Sequence, residues 1–258
     1  MFFVFPVLAL LPKLIYFLAA VLPAYFLLRY VYRHDTIEKE PAGLLWSLIG
    51  MGCLAALCSG ALEAVAEYLL QVFISPKSPV YIIALAFLVV AVVEEGTKLF
   101  FLKLRSWKHP AFNYRFDGMV YAVFVSLGFA ALENIQYVVN YGLSIALPRA
   151  LLAIPGHMSF SIFMGLWYAR AKLLENRGDR AGARVCLRKG WLSAVFLHGF
   201  YDACAMLGTG WASIVFLVFV VLMFCRAFST LKREAATDEP ILPEEPGFPD
   251  SPEAPFDV

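Results

Sequence analysis

Four short polar groups interrupt apolar sequence, and their side chains are those of acid–base chemistry. The first is Glu94-Glu95-Gly96-Thr97-Lys98, between Val89-Val90-Ala91-Val92-Val93 and Leu99-Phe100-Phe101-Leu102. On a helix, Lys98 lies one turn beyond Glu94 and pairs with it on one face; Glu95 points about 100° away, free for another partner. Two adjacent carboxylates in low dielectric do not both ionise cheaply unless a cation compensates. A carboxylate so placed suits removal of a proton from water, and the segment equally suits a structural Glu–Lys pair. The second group is Glu133-Asn134, an acid beside an amide, which also fits an interhelical hydrogen bond. The third is Pro155-Gly156-His157, with Ser161 one turn on; a lone histidine of this kind is more often a packing residue than a ligand. The fourth is His198-Gly199-Phe200-Tyr201-Asp202, whose His198 and Asp202 share a face at i and i+4. There an aspartate can set an imidazole tautomer, or both groups can act on one ligand. Asp117 stands at the start of an apolar block, where helix capping competes with chemistry.

These groups must be carried by elements that belong in lipid. Of the 258 residues, 61% are hydrophobic and 16% charged, and mean hydropathy is +0.72. Soluble domains carry about 25% charged residues. The apolar blocks reach the roughly 20 residues a spanning helix needs, and the alternating pattern of a membrane barrel is absent. The expected fold is all-α, a polytopic transmembrane bundle of seven spans at residues 2–28, 43–74, 79–104, 116–141, 149–170, 190–208 and 210–229. Basic residues follow the first, third, fifth and seventh spans and are scarce in the other connections, so the alternation has no exception. The positive-inside rule then places the N-terminus outside and the C-terminus in the cytoplasm. The apolar start reads as a retained span rather than a cleaved signal. Pro6, Pro12 and Pro23 predict kinks or a frayed start in the first span. The second span is long, and tilt or projection beyond the outer surface near Glu63 and Glu67 is expected.

Residues 1–233 form the bundle in this reading. Residues 234–258 are rich in proline and acids, contain no Lys or Arg, and are expected to form a disordered cytoplasmic tail. The near-neutral net charge gives no sign of a nucleic-acid partner. Ionisable groups inside spans cost about 2.5–3.5 kcal/mol each at the bilayer centre and face the bundle interior. Glu94, Glu95, Lys98, Glu133, His157, His198 and Asp202 should therefore converge on one wet cavity. Helical rise places Glu94 about 15 Å and His198 about 12 Å from the cytoplasmic ends of their spans.

The same motifs, with Phe116-Asp117-Gly118 through Gly128-Phe129, resemble the PrsW family of bacterial intramembrane proteases over about residues 80–205. That resemblance implies a multi-pass protein of the bacterial inner membrane. It implies a single-span substrate, such as an anti-sigma factor cut at site one. The family is similar to the CAAX prenyl protease and bacteriocin-processing group, with its EExxxR, FxxxH and HxxxN pattern. Glu94 would then be the water-activating glutamate and Glu95 its companion. Glu133 would take the slot of the middle histidine, and His198 with Asp202 the slots of the final His and Asn. Lys98 comes one residue before that group's Arg, and Asp202 replaces a neutral donor, so it would orient His198, bind metal or be protonated. His157 belongs to the PrsW pattern alone. Asn134 and Lys98 are expected to support the site. Zinc held among Glu94, Glu95, Glu133, His157, His198 and Asp202 remains an alternative to a metal-free glutamate mechanism. The sequence has no HExxH, and the reading leans to metal-independent chemistry. The competing functions are a proton-coupled transporter, against which no inverted repeat is seen, and a prenyl-protein endopeptidase.

Overall fold

Seven long helices follow one another in the order that the apolar blocks predict. The structure is a computed structural model describing residues 4–241. The helices are α1 (Val4–His34), α2 (Ala42–Phe73), α3 (Pro79–Ser106), α4 (Arg115–Tyr141), α5 (Ile154–Asn176), α6 (Arg180–Leu207) and α7 (Gly210–Ala236). All but α6 contain an 18-residue window apolar enough to cross a membrane, as befits a multi-pass membrane protein. The window for α5 lies in a longer run, Leu143–Asn176. Helix α6 carries Arg180, Arg184, Arg188 and Lys189 in its first half and His198 and Asp202 in its second. It nonetheless packs along α5 and α3.

Local chemistry sets the helix ends. Ser78 caps α3, accepting from the Val80 N–H at 3.2 Å, with Pro79 in the first turn. Asp117 accepts from the N–H groups of Asn113 and Tyr114 at 3.0 and 2.7 Å, so it serves the start of α4 from the third helical position, with Tyr114 rather than Asp117 at the N-cap. Asp179 caps α6 through the Gly182 N–H, and Gly208 closes that helix with φ 60°. Helix α1 runs unbroken through Pro12 and Pro23.

Helix α4 is the axis of the bundle. Its residues from Phe116 to Ala130 are all buried, against α1, α2 and α5. Gly52 and Gly128 let α2 and α4 touch backbone to backbone: a Cβ on Gly52 would collide with the Val125 carbonyl, and one on Gly128 with the Ile49 carbonyl. Helix α2 does not simply overrun the bundle near its acids. Tyr81 of α3 donates to Glu67 Oε1 at 2.9 Å, and Glu63 turns toward an internal cavity described below.

Residues 234–241 differ from the expected unstructured tail. Helix α7 continues to Ala236, and the next residues form a strap across the start of α4. The Arg115 N–H donates to the Glu239 carbonyl at 3.0 Å and the Ile241 N–H to the Asn113 carbonyl at 2.7 Å. The Phe116 N–H donates to Asp238 Oδ1 at 2.8 Å. A helix start leaves four N–H groups without intrahelical acceptors, and these acidic residues meet that need. Ile241 is buried in the main core. The remainder of the expected tail, 242–258, lies outside the described residues.

Candidate active site

The Glu94 motif follows an unusual turn. Leu85–Ala91 of α3 is π-helical and passes into regular α-helix at Val92, a device frequent at functional sites. Just beyond it, Lys98 Nζ donates to Glu94 Oε2 at 3.0 Å and to Glu95 Oε1 at 2.8 Å. The expected i,i+4 pair is therefore a three-membered ion cluster. The third ammonium proton points to His157 Nδ1 at 3.1 Å, and the Phe129 ring lies 4.0 Å away, over the same ammonium. Lys98 is only 2% exposed.

Lys98 thereby sets the tautomer of His157. Nδ1 accepts from the ammonium, so Nε2 carries the proton and donates to Glu133 Oε2 at 3.0 Å. Ser126 Oγ donates to the His157 carbonyl and ties α4 to α5 there. Glu133 also receives Arg149 Nη2 at 2.8 Å. Arg149 opens a second π stretch, Arg149–Ala153, that leads into α5. Its Nε donates to Asn134 Oδ1 at 2.8 Å, and its guanidinium lies 3.8 Å from the Tyr137 ring centre. Asn134 Nδ2 donates to the Ala20 carbonyl at 2.8 Å, so Asn134 staples α1 to α4.

His198 comes from α6 with both ring nitrogens facing carboxylates. Nδ1 lies 2.9 Å from Glu95 Oε1 and 3.9 Å from Glu94 Oε2. Nε2 lies 3.3 Å from Asp202 Oδ2, longer than a usual N–H···O bond. With both carboxylates ionised, both ring nitrogens donate. Phe160 stacks on the ring at 4.8 Å and 18°. Glu95, not Asp202, is thus the tighter hold on His198. The partner expected for Glu95 is this histidine.

A cavity of about 620 Å³ covers these groups. Glu94, Glu133, His157, His198 and Asp202 line it; Glu95 and Lys98 lie behind its wall. It reaches Tyr137, Pro148, Met206 and Ser213, at the bundle end opposite the strap. The seven expected groups therefore meet in one place, and Glu94 faces open space from behind which Glu95 and Lys98 support it. Two further members were not anticipated. Arg149 sits at the edge of a connection scarce in basic residues, and Glu63, read as near the outer surface, lines the cavity with Oε1 buried and unpartnered. No spacing signal marks either one. Five carboxylates, Glu63, Glu94, Glu95, Glu133 and Asp202, stand against Lys98, Arg149 and a His198 that donates from both ring nitrogens, an excess that further protons or another cation would balance.

A buried carboxylate–imidazole cavity within lipid-spanning helices is what the motif comparison addresses. The family model described as PrsW family intramembrane metalloprotease matches residues 40–226. The chain belongs to the PrsW family. It is similar to Protease PrsW of Clostridioides difficile (32% identity, 82% of this chain and 88% of that protein). It is also similar to Protease PrsW of Geobacillus kaustophilus (35%, 71% and 76%) and of Bacillus subtilis (29%, 78% and 88%). No solved structure gives a significant match. As a PrsW protein, the chain is an intramembrane protease.

The family's description invites a metal, and the donors have suitable chemistry. Glu94, Glu95, His157 and His198 each offer one ligand atom, all within 4.8 Å of one another, and zinc accepts such O and N ligands. Yet Lys98 Nζ is hydrogen-bonded to three of those four residues. An ammonium and a divalent cation cannot share that point. As these residues are arranged, a metal does not fit unless Lys98 withdraws.

Proposed function

We propose that this PrsW protein hydrolyses a peptide bond of a single-span membrane protein with water activated by Glu94. The observation that carries this reading is the meeting of Glu94, Glu133, His157, His198 and Asp202 in one cavity, with Glu94 turned into it. A water beside Glu94 gives its proton to the carboxylate, and the hydroxide oxygen bonds to the scissile carbonyl carbon. The carbonyl oxygen becomes an oxyanion, which the loosely held Nε2–H of His198 meets. Glu94 returns the proton to the peptide nitrogen, the C–N bond breaks, and a carboxyl and an amine leave. Glu95 and Lys98 position His198, Glu94 and His157 from behind the wall. Arg149 and His157 hold Glu133 as the second cavity carboxylate.

The resemblance further supports an anti-sigma factor as substrate, cut at site one, in the bacterial inner membrane. The cavity reaches the end of the bundle remote from the basic connections, which the positive-inside rule assigns to the outside. An outward opening reconciles a deep Glu94 with cleavage toward the outer face.

The test is cleavage of a single-span substrate in proteoliposomes. Glu94→Gln and His198→Ala should each lose cleavage while keeping the detergent elution profile of the parent. Full activity in both overturns the assignment. Stoichiometric zinc in the purified protein, together with cleavage that chelators abolish, would overturn the metal-free step.

A further inference from the structure

A second cavity, of about 600 Å³, lies at the other end of α3. Its charged lining is Lys103, Arg105, Lys108 and His109, with no acidic residue among its walls within the described residues. Among the described ion pairs, none uses Lys103, Arg105 or Lys108. Arg105 spends its Nε on Ser47 Oγ at 2.6 Å, which leaves its terminal nitrogens unspent there. His109 accepts the Ala111 N–H on Nδ1 at 3.2 Å, so its Nε2–H remains a donor. Burial and then the nearby Arg105 hold the His109 imidazole below its usual range, as fits a positive pocket. The remaining walls include Phe100 and Leu104, 61% and 64% exposed on the flank of α3. Trp107 forms the floor, with Lys103 and Lys172 Nζ 5.1 and 5.3 Å from its ring centre.

We propose that this cavity binds the headgroup of an anionic phospholipid. Its four nitrogen-bearing side chains match the acceptor oxygens of a phosphodiester, and the exposed Phe100 and Leu104 continue the pocket along the apolar flank where acyl chains run. A free phosphate would use the same donors but leave that flank without a role. The positive-inside rule places this end in the cytoplasmic leaflet, whose anionic lipids attract basic clusters at the ends of spanning helices. The site is separate from the Glu94 cavity and independent of the reaction proposed there.

Native mass spectrometry of the full-length protein in detergent tests this. The probes are phosphatidylglycerol, phosphatidylcholine and inorganic phosphate. Phosphatidylglycerol should be retained over phosphatidylcholine. Lys103→Gln and Lys108→Gln should each weaken retention about fivefold and the double variant about thirtyfold, on the usual value of one lysine near an anionic leaflet. Arg184→Gln/Arg188→Gln, which removes exposed charges on α6 outside the cavity, should leave retention unchanged. Equal losses in the two double variants, no preference between the lipids, or displacement of lipid by phosphate would each overturn the proposal.

Discussion

Replacing Lys98 with Met tests whether the buried cluster is the keystone of the cavity. The ammonium is 2% exposed and makes three hydrogen bonds of 2.8–3.1 Å, two of them to carboxylates. Removing one partner of a buried ion pair costs about 3–5 kcal/mol, because the other charge is stranded. Two adjacent carboxylates would be stranded here, which places Lys98→Met at the upper end of that range. At about 1.4 kcal/mol per tenfold, the folded-to-unfolded ratio should fall roughly 10³- to 10⁴-fold. Reversible unfolding in mixed micelles, followed by far-ultraviolet circular dichroism, measures this. Glu95→Gln in the Lys98→Met background should restore part of the loss, since it removes one stranded charge, and the coupling in the cycle should be about 1–3 kcal/mol. A Lys98→Met protein as stable as the parent would refute the reasoning, because it would mean that the two carboxylates need no internal cation.

Arg149→Gln removes the 2.8 Å hold on Glu133 and should slow cleavage about 10²-fold through misplacement of that carboxylate; a parental rate of peptide release would contradict it. Ile241→Ala should cost about 2–5 kcal/mol, since the side chain is 1% exposed in the core, and thermal unfolding reads the loss. Burial, offset in part by Lys39, pushes the Asp35 carboxyl up to about 6. Burial also pushes Glu40, which accepts from Tyr121, up to about 7. Through these two groups the folded state binds more protons than the unfolded one, so their contribution to stability is full below about pH 4 and is lost as pH rises through about 7. The slope is at most about 1.4 kcal/mol per pH unit per group, and Asp35→Asn should flatten it; a parent and variant with the same pH profile would speak against this assignment.

Six of the seven helices were legible as apolar stretches long enough to span; α6 is not one of them, and the alternation of basic connections supported its count. Convergence of Glu94, Glu133, His157, His198 and Asp202 was legible because lipid leaves ionisable groups nowhere else to go. Spacing within one helix could pair Lys98 with Glu94, yet it carries no information on what a second helix brings. The contact with His157, and through it the chain to Glu133, is therefore tertiary. Arg149 hid for a related reason: it sits where a π turn replaces the regular period. Glu63 read as surface because α2 is longer than the bilayer is thick, and length alone does not say which side of a helix faces a cavity. The strap hid because proline-rich acidic composition is compatible with extended pairing as well as with disorder, and only the bare start of α4 decides between them.

The π segment of α3 also limits how this chain can vary. A single deletion within Leu85–Ala91 would let the widened turns relax toward ordinary α-helix, and each residue of register is worth about 100° of rotation. Six residues of ordinary helix turn through about the same angle as the seven π residues they would replace, so Glu94 and Glu95 would still face His198, whereas a deletion at Val92 or Val93, in regular helix, would swing them away. Insertions or deletions in the Ser75–Ser78 turn leave that phase alone. Descendants of this sequence should therefore differ in length before Pro79, and from there to Lys98 should change count only by the one residue that the π segment can shed.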